Sequence, residues 1–201
     1  ALASVVDQNL LADKVLRSGA RAAKTFTPEM ITAYQAPPMD HSHTPSDLIE
    51  RAKRLLAEAG YDAKRPLRIT LRHVSGNEEK RVNLAVAGMW RQLGVQTQLQ
   101  QGTMNAHFAD LRQGDFDVAW AGWIGESNAE HYLGLLASDV GDVNYGAYHS
   151  AEFDQLIQQA RTHADVQSRN NLLQQAEAVA LREAPVVPLY SLASRRLVNP
   201  R

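Results

Sequence analysis

The chain contains no cysteine, and neither sign of charge dominates it, since 21 basic residues face 22 acidic ones for a net charge of -1. Without cysteine there is no disulfide scaffold, no cysteine-ligated zinc site and no thiol nucleophile. The balanced charge argues against a nucleic-acid partner, because neutralising phosphates needs a basic stripe. It also gives no indication of binding to an anionic membrane.

Long hydrophobic runs are missing as well. No apolar stretch approaches the roughly 20 residues that a membrane-spanning helix needs. No signal peptide stands at the start, where the spacing of apolar residues already predicts a helix from Leu2 to Leu16. We therefore expect a mature or excised piece whose targeting segment lies elsewhere.

Motifs for catalysis and cofactor binding are also absent. The sequence has no Gly-x-Ser-x-Gly elbow, no phosphate-cradling glycine-rich loop and no dinucleotide fingerprint. His41 and His43 lie two residues apart without a carboxylate or cysteine in register, so they do not form a metal motif. The acidic pair Asp115 and Asp117 is typical of a solvated face or a helix start. We predict no catalytic residues, no metal site and no cofactor, and an enzyme is the less favoured reading.

What the 201 residues do contain is a pattern typical of an α/β domain, with 44% hydrophobic residues. Three strands are predicted, at Leu67–Val74, Val95–Gln101 and Phe116–Ile124, with helices between them from about 77 to 93 and at Thr103–Arg112. This alternation implies parallel strands joined by right-handed crossovers. The third strand is largely apolar, so we expect it at the centre of the sheet.

Other helices and loops flank this unit. Thr44, Pro45 and Asp47 predict the start of a helix that ends at Gly60. Residues 20–44 are predicted to be a long loop, and Val186–Val198 an extended segment. Further helices are predicted for three ranges: Ala129–Ala137, Ser150–Thr162 and Asp165–Glu183. Ser150 and Asp165 are the expected N-caps of the last two.

The most informative stretch follows the third strand. Gly122 and Gly125 flank Trp123 and Ile124, and the acid Glu126 follows. Ligands of open α/β sheets lie outside the carboxyl ends of strands, and glycine there permits the close approach of another backbone. The candidate ligand-binding residues here are Trp120, Ala121, Gly122, Trp123, Ile124, Gly125 and Glu126. An ordinary strand followed by a turn is an equally good interpretation of the spacing.

A second candidate stretch runs from Asn144 to Tyr148. Its amide and aromatic side chains could line a cleft, which makes Asn144, Tyr145 and Tyr148 candidate ligand-binding residues. A turn with two half-buried tyrosines explains the pattern equally well.

Six segments occur in an order that is known from one protein family. They are Ala1–Leu16, Phe26–Pro28, Ala52–Tyr61, Phe116–Trp123, Ala176–Tyr190 and Arg196–Pro200. Together they resemble the C-terminal half of the oligopeptide-, dipeptide- and nickel-binding proteins that serve ABC importers, solute-binding protein family 5. The resemblance runs nearly end to end, and the ordered set is more specific than any one motif.

The resemblance implies a fold and partners. Residues 1–201 are expected to form a single α/β lobe, periplasmic-binding-protein-like, with a mixed, mostly parallel sheet flanked by helices. This is the second lobe of a two-lobe protein whose N-terminal lobe is absent from the chain. The expected partners are a peptide or other small solute, that missing lobe and the permease subunits of an ABC transporter. The expected location is periplasmic or extracytoplasmic, with the protein soluble or lipid-anchored through a segment outside this chain.

The resemblance also implies a role for Glu126. In peptide-binding members an aspartate just after the Ala-Gly-Trp strand pairs with the N-terminal amine of the peptide, and Glu126 stands at that position with one more methylene. Trp120 stands where some members place an arginine for the peptide carboxylate. The implied ligand is an oligopeptide or dipeptide. A non-peptide solute such as a metal chelate, a sugar or an opine remains an alternative, as does a domain that only docks on a permease.

Overall fold

The computed structural model describes residues 1–31, 33–38 and 42–193. His41 of the histidine pair, and the Arg196–Pro200 segment, lie outside these residues. The strands in chain order are β1 (Arg21–Ala22), β2 (Arg68–Val74), β3 (Gln96–Gly102), β4 (Val118–Ala119) and β5 (Tyr190–Ser191). The α-helices are α1 (Gln8–Leu10), α2 (Pro45–Glu58), α3 (Asn77–Arg91), α4 (Met104–Arg112), α5 (Glu130–Leu133), α6 (Ala151–Thr162) and α7 (Val166–Glu183).

The main sheet is parallel, with β2 between β3 and β4. Helix α3 connects β2 to β3, and α4 connects β3 to β4. A separate antiparallel pair joins β1 to β5, so the strands of the chain are mixed in direction. These features confirm the α/β class with helices beside a mostly parallel sheet. Among the described residues, no helix is long and apolar enough to cross a membrane.

The expectation of a central third strand is wrong. Only Val118–Ala119 pair as a strand, and in the described part of the chain β4 lies at the edge of the sheet. The centre is β2, in which Ile69, Leu71 and His73 are buried. The apolar side chains that follow β4 do not fill the core, because the chain leaves the sheet after Trp120 and Ile124 is 95% exposed. An apolar run predicts burial on both faces only if neighbours cover it.

Local signals placed most helix ends correctly. Thr44 accepts from the Asp47 N–H, and the Asp47 carboxylate accepts from the Thr44 N–H, which is a complete capping box at the start of α2. Ser150 and Asp165 cap α6 and α7 as predicted.

The helix predicted from Leu2 to Leu16 is broken into short pieces. A 3-10 turn at Ala3–Val5 precedes α1, and a π-helix at Leu11–Leu16 follows it. The interruption arises because Val6 is extended, with ψ 120°. Asp7 then starts a new helix by accepting a hydrogen bond from the Leu10 N–H.

Two apolar clusters stabilise the chain. The first packs β2 and α3 against the N-terminal helices, and its buried members include Leu11, Leu16, Ile69, Leu71, Val82, Val86 and Trp90. The second packs α5, α6 and α7 together, and its buried members include Leu133, Phe153, Ile157, Leu173 and Val179. Whether residues 1–201 are one lobe of a larger protein stays a prediction at this point.

Candidate functional site

The candidate site lies at the carboxyl end of the parallel sheet. Strands β2, β3 and β4 all end at this edge because they run in the same direction. Trp120 donates its N–H to the Arg72 carbonyl at 2.8 Å, which is the last contact with β2. Residues Trp120–Glu126, here called the strand-end segment, then run on outside regular structure.

A buried histidine holds the start of the strand-end segment. His107 on α4 is 2% exposed, and its Nε2 lies 2.7 Å from the carbonyl oxygen of Trp120. Because a carbonyl oxygen only accepts, Nε2 carries the proton and donates it. Burial lowers the pKa of His107, while its hydrogen bond to Trp120 opposes that effect. Removal from water thus favours the neutral ring.

Two adjacent residues of α5 hold the other end of the segment. The Gly125 N–H donates to the Tyr132 hydroxyl oxygen at 3.2 Å, and the Glu126 N–H donates to Nδ1 of His131 at 3.0 Å. The ring of Tyr132 is so close that a Cβ at position 125 would lie 2.8 Å from its Cζ. Glycine at 125 therefore permits this contact with a side chain of the same chain, while the close approach of another backbone stays a prediction.

The middle of the strand-end segment is open to solvent. Ala121, Gly122, Trp123 and Ile124 are exposed. In the residues that the structure covers, their main-chain N–H and C=O groups have no hydrogen-bond partner. Trp123 is 48% exposed and Ile124 95% exposed. The segment therefore presents free main-chain donors and acceptors together with an apolar surface.

The carboxylate of Glu126 is exposed, and it pairs with no side chain in ranges 1–31, 33–38 and 42–193. It does not cap α5, whose N-cap is Ala129 without a side-chain bond. Asn128 fixes the turn instead, since its Oδ1 accepts from the Glu130 N–H at 3.0 Å. A capping role would leave the carboxylate unavailable, whereas here it is free to meet a cation.

Asn144 and Tyr148 are used within their own turn. The Asn144 amide donates to the Tyr148 carbonyl at 2.8 Å and accepts from the Tyr148 N–H at 3.0 Å. The Tyr148 hydroxyl donates to Glu183, and its ring packs edge-on against Phe153. Burial and the bond to Glu183 raise the pKa of Tyr148 to about 12. These contacts favour the turn interpretation, and their part in ligand binding stays a prediction.

Tyr145 packs against α4, the helix that carries His107. Its ring centre is 6.1 Å from that of Phe108 on α4, and Phe108 stands edge-on to His107. Since His107 binds the Trp120 carbonyl, Tyr145 belongs to the same aromatic group.

Sequence reasoning missed an ion-pair group beside the site. Arg72 at the end of β2 donates to Asp115 at 2.7 Å and also to Asp110 of α4. Asp117 accepts from the Thr70 N–H at 2.8 Å. Asp115 and Asp117 were expected on a solvated face or at a helix start; both are exposed, and they also fix the turn that leads into β4. The alternating arginines of β2 were a signal for such partners.

The described ranges contain no group of three or more histidine, aspartate or glutamate residues that could hold an ion. His41, one half of the histidine pair, lies outside those ranges.

Comparisons with known proteins identify one family. The family model described as "Bacterial extracellular solute-binding proteins, family 5 Middle" matches residues 1–143. The chain is 30% identical over 202 residues to the periplasmic murein peptide-binding protein MppA of Escherichia coli (strain K12). It is 34% identical over 204 residues to the probable deoxycholate-binding periplasmic protein YgiS of the same organism. Each match covers 100% of this chain but only 38% of the relative's length.

A solved structure agrees with these matches. The structure of the Escherichia coli murein tripeptide binding protein MppA has a TM-score of 0.89 and 31% sequence identity. The match covers 94% of this chain and 38% of that one. The similarity thus extends over nearly the whole chain and a little over a third of the larger protein.

Proposed function

Because the chain belongs to family 5 of the bacterial extracellular solute-binding proteins, we propose that it is one lobe of the substrate-binding component of an ABC importer. Residues 1–201 are then the C-terminal lobe, and an N-terminal lobe of the same protein closes a cleft over the ligand. The 38% coverage of the relatives supports this division. The word periplasmic in the relatives' names supports a periplasmic or extracytoplasmic location. In this proposal the two-lobe protein delivers its ligand to the permease subunits of the importer.

The favoured ligand is an oligopeptide or dipeptide held by the strand-end segment. The free main-chain groups from Ala121 to Ile124 carry this proposal. An extended peptide can pair with them as an added strand. Pairing is essential in a closed cleft, since each buried polar group left without a partner costs about 1–3 kcal/mol.

Glu126 is the proposed anchor for the peptide's α-amine. Its carboxylate follows the open stretch directly and has no partner within the described ranges. A hydrogen bond to a charged group contributes roughly 1.5–3 kcal/mol. The exposed faces of Trp123 and Ile124 supply apolar contact without reading a particular side chain. Of the other sequence candidates, Tyr145 best fits the cleft because its ring adjoins α4.

A non-peptide solute is the second candidate. The name of YgiS gives deoxycholate as its probable ligand, and that protein is 34% identical to this chain. The wide apolar surface of Trp123 and Ile124 also suits an apolar solute. Such a ligand needs no cationic group, so Glu126 would contribute little to binding it.

One variant separates these candidates. We expect Glu126→Gln, in the two-lobe protein that contains this chain, to weaken binding of Ala-Ala-Ala by roughly two orders of magnitude or more. Removing one partner of an enclosed charge pair costs ~3–5 kcal/mol, and 1.4 kcal/mol is about tenfold. Titration calorimetry measures the affinity, with Glu58→Gln, an exposed glutamate of α2, as the matched control.

Native mass spectrometry of the two-lobe protein purified without refolding identifies the ligand. Unchanged Ala-Ala-Ala affinity in Glu126→Gln contradicts the anchor. Co-purification of a sterol-like solute favours the second candidate, and turnover of any bound solute favours an enzyme.

A further inference from the structure

We propose that His131 and Tyr132 are positioning residues, which hold Gly125 and Glu126 in the arrangement that the ligand meets. The proposal rests on the proposed function, because it concerns the same strand-end segment. Neither residue needs to touch the ligand. Each acts through a main-chain N–H group of the segment, at 3.0 Å from His131 Nδ1 and 3.2 Å from the Tyr132 hydroxyl.

The strand-end segment has few other restraints among the described residues. Between Trp120, which His107 holds, and Asn128, the main chain of the segment makes no other hydrogen bond to a side chain within the described ranges. Within residues 1–31, 33–38 and 42–193, the main-chain groups of four successive residues, 121–124, make no hydrogen bond. The direction in which they run is therefore set at two points, Trp120 and the pair Gly125–Glu126.

The two α5 side chains are adjacent, and they bind adjacent N–H groups. Tyr132 restrains Gly125 in a second way, because its ring fills the space where a Cβ at 125 would lie, 2.8 Å from Cζ. The helix itself is fixed from below, since Leu133, the next residue, is fully buried in the helical core. The strand-end segment is thus attached through α5 to the packed core of α5, α6 and α7.

The hydrogen bond from the Glu126 N–H also selects one tautomer of the neutral His131 ring. Its Nδ1 accepts the Glu126 N–H, so the ring proton is on Nε2. The acceptor can be reproduced by an asparagine Oδ1, which occupies a place similar to Nδ1, but not by leucine. Tyr132→Phe keeps the ring against Gly125 and removes only the acceptor oxygen.

The test measures order and affinity separately. In the 201-residue chain we expect ¹⁵N order parameters of Gly125 and Glu126 to fall in His131→Leu/Tyr132→Phe, from the rigid range near 0.85 towards the flexible range below about 0.6. With His131→Asn in place of His131→Leu, the order parameter of Glu126 should return to the rigid range. In the two-lobe protein, Ala-Ala-Ala should bind about tenfold more weakly to the double variant, since each lost hydrogen bond amounts to a factor of a few.

The control is His163→Leu, an exposed histidine after α6. Unchanged order parameters in the double variant, or the same loss at Glu126 when His131→Asn replaces His131→Leu, would overturn the proposal. Failure of the proposed function looks different. In that case the unaltered protein does not bind Ala-Ala-Ala, while the order parameters still respond to the variants.

Discussion

The described part of the loop before α2, residues 23–31 and 33–38, and the strand-end segment both contain no helix or strand. Each involves one glutamate: Glu177 packs against the loop, and Glu126 is the last residue of the segment. Glu177 on α7 is 0% exposed, and its two oxygens accept from the Thr27 N–H at 2.6 Å and from the Tyr34 hydroxyl. The Glu126 carboxylate is exposed, and it has no side-chain partner among residues 1–31, 33–38 and 42–193. One carboxylate is satisfied inside the chain, and the other is available to something outside it.

The difference teaches how to separate a structural acid from a candidate binding acid. Burying an ionised carboxylate is unfavourable unless hydrogen bonds compensate. At Glu177, burial raises the pKa, while the bonds from Tyr34 and Thr27 act in the opposite direction. This acid fastens the loop to α7. An exposed carboxylate without a partner does not stabilise the fold in this way. It is instead a candidate for recognition of a ligand.

The largest expected effect is on stability, from Glu177→Leu. The change leaves the Thr27 N–H and the Tyr34 O–H buried without an acceptor, and each such group costs about 1–3 kcal/mol. We expect the free energy of unfolding of the chain to fall by roughly 2–5 kcal/mol, measured by urea unfolding. Glu126→Leu is the matched change at the other glutamate and should alter it by less than about 0.5 kcal/mol. Equal losses in the two variants would remove the contrast.

A smaller effect is expected from Gly125→Ala. The new Cβ would lie 2.8 Å from Cζ and 3.0 Å from Cε2 of Tyr132, so the segment must shift. Overpacking a core costs about 1–3 kcal/mol, and an exposed segment can move aside, so we expect about 1 kcal/mol by urea unfolding. Gly122→Ala is the control, because its Cβ meets Trp120 at an ordinary 3.4 Å. A larger loss at 122 than at 125 would contradict the close approach.

The smallest expected effect is a pH dependence from Glu177. Because its folded pKa is raised, the folded chain holds a proton that the unfolded chain releases above roughly pH 4.3. Stability from this group is therefore greatest below that pH and declines as the pH rises through the folded pKa. The effect is limited because two hydrogen bonds oppose the burial.

The measurement compares the unfolding free energy of the unaltered chain with that of Glu177→Gln. The difference in unfolding free energy between them, followed from pH 4 to pH 7, cancels the other titrating groups. We expect the unaltered chain to lose stability relative to the variant as the pH rises. If the unaltered chain instead gains stability relative to the variant as the pH rises, the site stabilises the ionised form of the Glu177 carboxyl group.

Local patterns predicted much of the fold. The capping box at Thr44, the caps at Ser150 and Asp165, and the strands at β2 and β3 were found within a residue or two, because each depends on neighbours in sequence. The third strand was placed wrongly because its apolar residues carry no information about which strand will lie beside them.

The sequence by itself determined the starts of α2, α6 and α7, the parallel order of connection, the glycine at 125 and the place of Glu126 after the strand. Only the tertiary structure decided which acid is buried and which is open. The partners of Glu177 lie 150 and 143 positions away along the chain, and the His131 and Tyr132 contacts depend on how α5 folds back over the segment. Caps and alternation act over a few residues, whereas burial and long-range hydrogen bonds exist only after the chain has packed.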